Sequence, residues 1–247
     1  VVEAPTPSGY GVVVLPISSN QKVTVDYMYV NTGLDGLFSS TDTWAWQLNA
    51  GFSRSDGDYS VFGIDLSKSG DLTLVDEPTT FDYYCQPCVM SGACMNRLED
   101  AVGTWYTGNT VYDQFVFNGV VTGELFNLPA GAVGAALGIE YRQFSIDDQP
   151  SEMETSGNLW GTSTAQVTKG DDKVKEIFGE IEVPLLKGIP GIESLTVNLS
   201  ARAFDYDSVA DSDSVWKAGL SWQIIPSLRV RATRGTSYRA PGLYELY

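Results

Sequence analysis

Three groups of residues in this chain have types and spacings that could do chemistry. Cys85-Gln-Pro-Cys88, followed by Cys94, has the CxxC spacing of a redox dithiol or of half a zinc site. Glu176, Glu180 and Glu182 lie two or four residues apart, and paired carboxylates can do acid–base work. The run from Asp205 to Asp213 carries four aspartates that could hold calcium. Each group is undercut by what surrounds it. There is no histidine, so a Ser-His-Asp triad, a histidine zinc site and a histidine proton shuttle are impossible within this chain. No second CxxC and no thioredoxin-like βαβ pattern accompany the cysteines. The acidic run lacks the Gly and the bidentate Glu of an EF-hand and reads as a solvated hairpin loop. The glutamates read as charges on a wet face that pair across strands: if Leu186 pairs with Ser194, Arg202 lies diagonal to Glu176 and Glu180. The expectation is no enzyme, no bound metal and no cofactor.

The elements that carry these residues are marked by strict alternation. Val133, Ala135, Leu137, Ile139 and Tyr141 form one apolar rail; Leu195, Val197, Leu199, Ala201 and Ala203 a second; Trp216, Ala218, Leu220, Trp222 and Ile224 a third. Period two puts such rails on one face of a strand. Tilted strands of about 9–11 residues cross a bilayer in a β-barrel. No run of eighteen apolar residues exists to form a spanning helix. The net charge of −16 argues against nucleic acid as a partner. Six Trp, 13 Tyr, 10 Phe and 25 Gly suit a barrel with interfacial aromatic girdles. A soluble antiparallel sheet shares the period, but its strands are usually shorter, about 5–6 residues.

Ten strands are expected, near 9–16, 21–32, 43–54, 59–68, 111–126, 132–145, 174–186, 194–206, 215–225 and 228–237. Short turns at 18–20, 55–58, 127–131, 188–193 and 225–227 alternate with long loops near 33–42, 69–110, 146–173 and 207–214. Short turns at one end and long loops at the other are the layout of an outer-membrane barrel, with the long loops and both chain ends outside. Further lipid-facing rails are expected at Val23, Val25, Tyr27, Tyr29; Trp44, Trp46, Leu48, Ala50, Phe52; Phe62, Ile64, Leu66; Phe115, Phe117, Val121, Leu125; and Ile177, Ile181, Val183, Leu185. Their charged exceptions, Lys68, Asp113 and Arg234, are expected at loop-side strand ends, where a charge costs little. The opposite rails carry Asp65, Glu124, Glu140, Arg142, Glu176, Glu180, Glu182, Arg202, Lys217, Arg229 and Arg231, a face that needs water or a polar plug.

The segment from Arg229 onward ends in Ser237-Tyr238-Arg239-Ala240-Pro241-Gly-Leu243-Tyr-Glu245-Leu246-Tyr247. This resembles the barrel signature of TonB-dependent outer-membrane receptors. Asn118–Gly131, Ala136–Arg142, Lys175–Leu186 and Trp216–Trp222 resemble other segments of that family in the same order. The resemblance implies an all-β, antiparallel transmembrane barrel of about 22 strands. Ten strands would be an incomplete part of it: residues 1–247 read as one partial barrel domain, without the plug domain and the C-terminal strands. Pro241 and Gly242 interrupt any strand there, so Tyr247 does not read as the terminal aromatic of a last strand. The implied function is import of a scarce nutrient across the outer membrane of a Gram-negative bacterium. A ferric siderophore, cobalamin, a glycan or another metal chelate would all fit as ligand. The implied partners are outer-membrane lipid, a plug domain of the same polypeptide, TonB acting through that plug, and a small-molecule or oligosaccharide ligand. Loop aromatics Tyr83, Tyr84, Trp105, Tyr106 and Trp160 are candidates for ligand contact, or for packing the loops together. In an extracellular loop the cysteines should be oxidised, with Cys85 or Cys88 joined to Cys94. A passive porin-like or adhesin barrel, or a soluble lectin-like domain, are the alternatives.

Overall fold

The computed structural model describes residues 20–40, 43–69, 95–208 and 212–247. The strands are β1 (Gln21–Leu37), β2 (Ala45–Ile64), β3 (Gly103–Leu128), β4 (Gly131–Gln149), β5 (Thr168–Ile189), β6 (Ile192–Tyr206), β7 (Asp213–Ile225) and β8 (Leu228–Gly235). Short helices are α1 (Leu66–Ser69), α2 (Met95–Val102), α3 (Glu152–Thr155) and α4 (Leu243–Leu246). All eight strands form one sheet in the order β1 to β8, so each is hydrogen-bonded to its sequence neighbour and the described sheet does not close. The chain divides into two compact units. Among the described residues, one holds 20–26, 55–69, 95–111 and 147–168; the other holds 27–40, 43–54, 112–146, 169–208 and 212–247.

Eight strands lie among the described residues, where ten are expected in the whole chain. The expected strand at 9–16 and its turn at 18–20 lie outside the described residues, Asn20 apart. The expected strands at 43–54 and 59–68 are a single strand, β2, that runs straight through Ser55-Asp56-Gly57-Asp58. That tetrapeptide has turn composition, but β3 removes the reason to turn. Asn109 donates to Asp56 at 2.7 Å and to Asp58 at 2.9 Å, so both carboxylates spend themselves across the sheet rather than on their own backbone. With one strand fewer, the connection after β1, residues 38–44, takes the place of a turn in the alternation instead of that of a loop. Along the rest of the chain two-residue turns at 129–130, 190–191 and 226–227 alternate with connections at 65–102, 150–167 and 207–212.

The described register fixes the faces. Ile181 pairs with Leu199, and Val197 with Leu220, which pairs with Ala232, so these apolar rails share one face. Gly119 sits between Leu48 and Ile139, and Gly179 lies beside Leu137, which adds β2 to β5 to the same face. One expected rail is on the wrong side. A Cβ at Gly51 would meet Asn31 and Tyr29, and one at Gly33 would meet Asn49. The rail Val23, Val25, Tyr27, Tyr29 of β1 is thus on the polar face, and Met28, Val30 and Leu34 are on the apolar one. The rail of Met28 also carries Lys22, Thr24, Asp26 and Thr32, so alternation points to the other rail, and only the register against β2 reverses it.

Nothing among the described residues covers the apolar face: Leu137, Leu199 and Leu220 are 53%, 45% and 40% exposed. Of the charged exceptions, Arg234 lies one residue from the end of β8, opposite Ala218. Lys68 has left the sheet for α1. Asp113 is in mid-β3, not at a strand end, and it faces Arg54 at 3.3 Å. That pair marks where the rails Trp46–Phe52 and Phe115–Leu125 stop and both strands continue with polar residues.

Candidate functional site

The polar face of β4, β5 and β6 holds a four-membered charge cluster. Glu176 is the hub, and its side chain is only 3% exposed. It accepts from the Arg142 guanidinium on one oxygen and from Arg202 Nη1 on the other, the latter at 2.6 Å. Arg142 Nε also lies 2.9 Å from Glu140. Two cations thus meet two anions, which is how a sheet can hold a buried carboxylate without leaving it unpaired. The pairing Phe178↔Arg202 puts Arg202 diagonal to both Glu176 and Glu180, as the spacing predicts, but only Glu176 takes it; Glu180 accepts from Asn198 instead. Leu186 itself pairs with Leu195, one residue away from the predicted partner, because the ladder slips between Pro184 and Leu186. Pro184 has no N–H to give to the ladder, and a bulge there absorbs the missing bond. The Arg202 guanidinium lies 5.0 Å over the Phe178 ring.

The motif segment after β8 is irregular through Gly242 and closes with α4, so no strand continues through Pro241. It lies against the loop-side part of this same polar face. Tyr238 packs against Phe204 at 4.6 Å between ring centroids and against Tyr206 at 6.2 Å. Leu243 is buried, and Ala240, Pro241 and Leu246 are half-buried. Tyr247 lays its ring on Gly170 and donates its hydroxyl to the Asp171 carbonyl at 2.9 Å. Arg239 pairs with Glu245 at 2.6 Å, while Glu245 also accepts the Gly242 N–H at 2.7 Å. Ser237 is exposed. The motif residues are therefore mutually engaged through packing and hydrogen bonds. Asp172, which sequence reasoning passed over, is buried beside them and accepts from the Ser208 backbone and hydroxyl, closing the β6 end.

The candidate aromatic residues are only partly brought together. Trp105 and Tyr106 belong to β3, not to a loop, and as strand neighbours they point to opposite faces. Trp105 stacks edge-on against Phe62, and Tyr106 lies over Gly63. Trp160 is in the 150–167 connection and donates its backbone N–H to Ile64 at 3.0 Å. Tyr83, Tyr84 and the three cysteines Cys85, Cys88 and Cys94 lie outside the described residues. Asp65, expected on a polar rail, is instead a buried anchor just beyond β2. Burial pushes its carboxyl up, but hydrogen bonds from the Ser67 hydroxyl, the Ser67 backbone and Asn158, with Lys68 at 3.7 Å, outweigh it and hold the group below the usual carboxylate range. Its neighbours Ile64, Val102 and Leu159 are buried apolar residues of the same unit.

A family model described as "TonB dependent receptor-like, beta-barrel" matches residues 7–247. The chain belongs to the TonB-dependent receptor-like β-barrel family. Among solved structures, it is similar to "Structure of the RagAB peptide transporter", at 11% identity and a TM-score of 0.51. That match covers 87% of this chain and 23% of the other, a likeness of fold. An all-antiparallel sheet with one rail exposed and the other charged fits an incomplete TonB-dependent receptor barrel.

Proposed function

We infer that this chain forms part of the wall of a TonB-dependent outer-membrane transporter that takes up a scarce nutrient. The observation that carries the reading is the pair of faces. One is apolar, exposed and, among the described residues, uncovered; the other holds the Glu176 cluster, Glu180, Glu182, Lys217, Arg229 and Arg231. Hydrocarbon suits the first and water or protein the second. In lipid, each unpaired edge group of an open sheet costs several kcal/mol, so further strands must complete a barrel around this sector. A plug domain of the same polypeptide would fill its lumen and answer to TonB, and the longer connections would face outwards. The similar solved structure is that of a peptide transporter; a siderophore, cobalamin or a glycan is equally compatible with a wall of this kind.

The test uses the full-length protein. It should sediment with outer membranes and need detergent for extraction. Reconstituted in a planar bilayer, it should be electrically silent, because a plug closes the lumen. A steady open conductance would make it a passive pore, and a protein that stays monomeric without detergent would end the barrel reading.

A further inference from the structure

Burial on the polar face of β5 is uneven. At the loop-side end of the strand Asp172, Val174 and Glu176 are 4%, 0% and 6% exposed; farther along the same rail Phe178 is half-buried, and Glu180 and Glu182 are exposed. Asp171, Lys175 and Ile177, on the opposite face, are exposed, so the cover lies on one side only. Val174 and Glu176 pair with Tyr206 and Phe204 of β6. Tyr238 packs on both of those rings, and Tyr247 lies on Gly170, the next position beyond Asp172 on the rail. The segment after β8 thus runs back across the sheet. It leaves β7 at Thr236, which exchanges two hydrogen bonds with the Trp216 backbone at 2.9 and 3.1 Å, and reaches β6 and then β5. The buried positions lie between its two aromatic contacts, and burial ends where the segment ends.

We propose that residues 236–247 form a fixed strap that seals the loop-side end of the polar face of β5 and β6 against water, ligand and plug alike. Lifting the strap would return Val174, Phe204 and Leu243 to water together, and loss of buried apolar area opposes that. It would also break the bond from the Tyr247 hydroxyl to the Asp171 carbonyl. The seat is specific, since any Cβ at Gly170 would overlap the Tyr247 ring. The strap holds its own shape: Glu245 accepts from Arg239 and from the Gly242 N–H, and the Tyr247 N–H donates to the Leu243 carbonyl at 3.1 Å. Beneath it, Glu176 meets Arg142 and Arg202 with little screening by solvent, so the charges tie β4, β5 and β6 together. The seal itself does not depend on the transporter reading. On that reading, the strap narrows the lumen mouth from this side at all times, and any moving gate belongs to another connection.

The purified full-length protein carrying Val174→Cys would be treated with a water-soluble maleimide, and modification at position 174 read by peptide mass mapping, which separates it from the native cysteines. Modification should be about a hundredfold slower than at Ser237→Cys, an exposed strap position. Adding Tyr238→Ser with Tyr247→Ser should raise the rate at 174 about tenfold or more. Rapid modification with the strap intact would overturn the proposal. So would protection that survives the double substitution, since another part of the protein would then be the cover. Should the double variant fail to fold, amide exchange on the unaltered protein decides: Glu245 and Tyr247 should exchange at least about tenfold more slowly than in a free peptide of residues 236–247, and equal rates overturn the seal. In whole cells the rate at 174 should not respond to collapse of the proton-motive force; a clear fall on collapse would make the segment a gate and end the claim that it is fixed. The seal and the transporter reading fail separately, the first on labelling of purified protein, the second on membrane extraction and bilayer silence.

Discussion

Glu176 joins three strands through two guanidiniums, and its side chain has almost no access to water. Removing its charge should leave Arg142 and Arg202 facing each other. Breaking a fully buried pair costs ~3–5 kcal/mol, but the Arg202 side chain is 42% exposed and solvent screens part of the effect. Glu176→Gln should therefore lose about 1–3 kcal/mol, read as a lower urea midpoint for the refolded full-length barrel. Glu182→Gln, on the same strand but exposed, should stay within about 0.5 kcal/mol. Equal effects would remove Glu176 from its place as hub. Asp65 gives a pH prediction of definite sign. Its carboxyl titrates lower folded than unfolded, so its contribution is complete above the ordinary carboxylate range and is lost as pH falls through the lowered folded value. Acid should open the 64–69 and 158–160 segments to amide exchange, and Asp65→Asn should open them at neutral pH with little further effect of acid.

At the scale of elements, rings laid over glycines recur. Trp46 covers Gly36, Tyr59 covers Gly108, Trp44 covers Gly123, Phe178 covers Gly138 and Tyr247 covers Gly170. A missing Cβ leaves a gap in a strand, and an aromatic side chain fills it while shielding the ladder beneath. The Phe178 ring would overlap any Cβ at Gly138, whereas a Cβ at Gly134 would meet nothing within 4 Å. Gly138→Ala should therefore cost roughly 1–3 kcal/mol through the displaced ring, and Gly134→Ala should cost nothing. Denaturant midpoints of the two variants check this; indistinguishable values would mean that the ring gives way freely. The turn between β5 and β6 needs glycine for another reason, since Gly188 and Gly191 both have positive φ, at 72° and 78°.

For the whole molecule, the governing quantity is the solvent that each face meets. Leu199 is central in its rail, between Leu195 and Ala203, while Ser214, opposite Ala203, lies on the same face at the loop-side end of β7. In a bilayer, Leu199→Arg should cost about 2–4 kcal/mol and Ser214→Arg about 0–1 kcal/mol. Folding of the full-length protein into lipid vesicles, followed by gel shift and urea titration, measures both. The same small penalty at the two positions would mean that no hydrocarbon lies against Leu199.

Much of this architecture was legible in the chain. Alternation at Leu195–Ala203 and Trp216–Ile224 set strand identity and face, because a period of two leaves each side chain one choice of side and the apolar rails are nearly free of charge. An assumed hairpin register put Arg202 diagonal to Glu176 and Glu180, and only the structure showed that Glu176 takes it. The family motif was readable too, although its place against Phe204 and Gly170 was not. Where alternation favoured the wrong rail, as in β1, or where turn-forming residues found partners on another strand, as Asp56 and Asp58 do in Asn109, sequence could not decide. The bulge at Pro184 and the role of Asp65 likewise waited on tertiary structure. Local pattern fixes which side chains share a face; only the neighbouring strand's register determines what each of them touches.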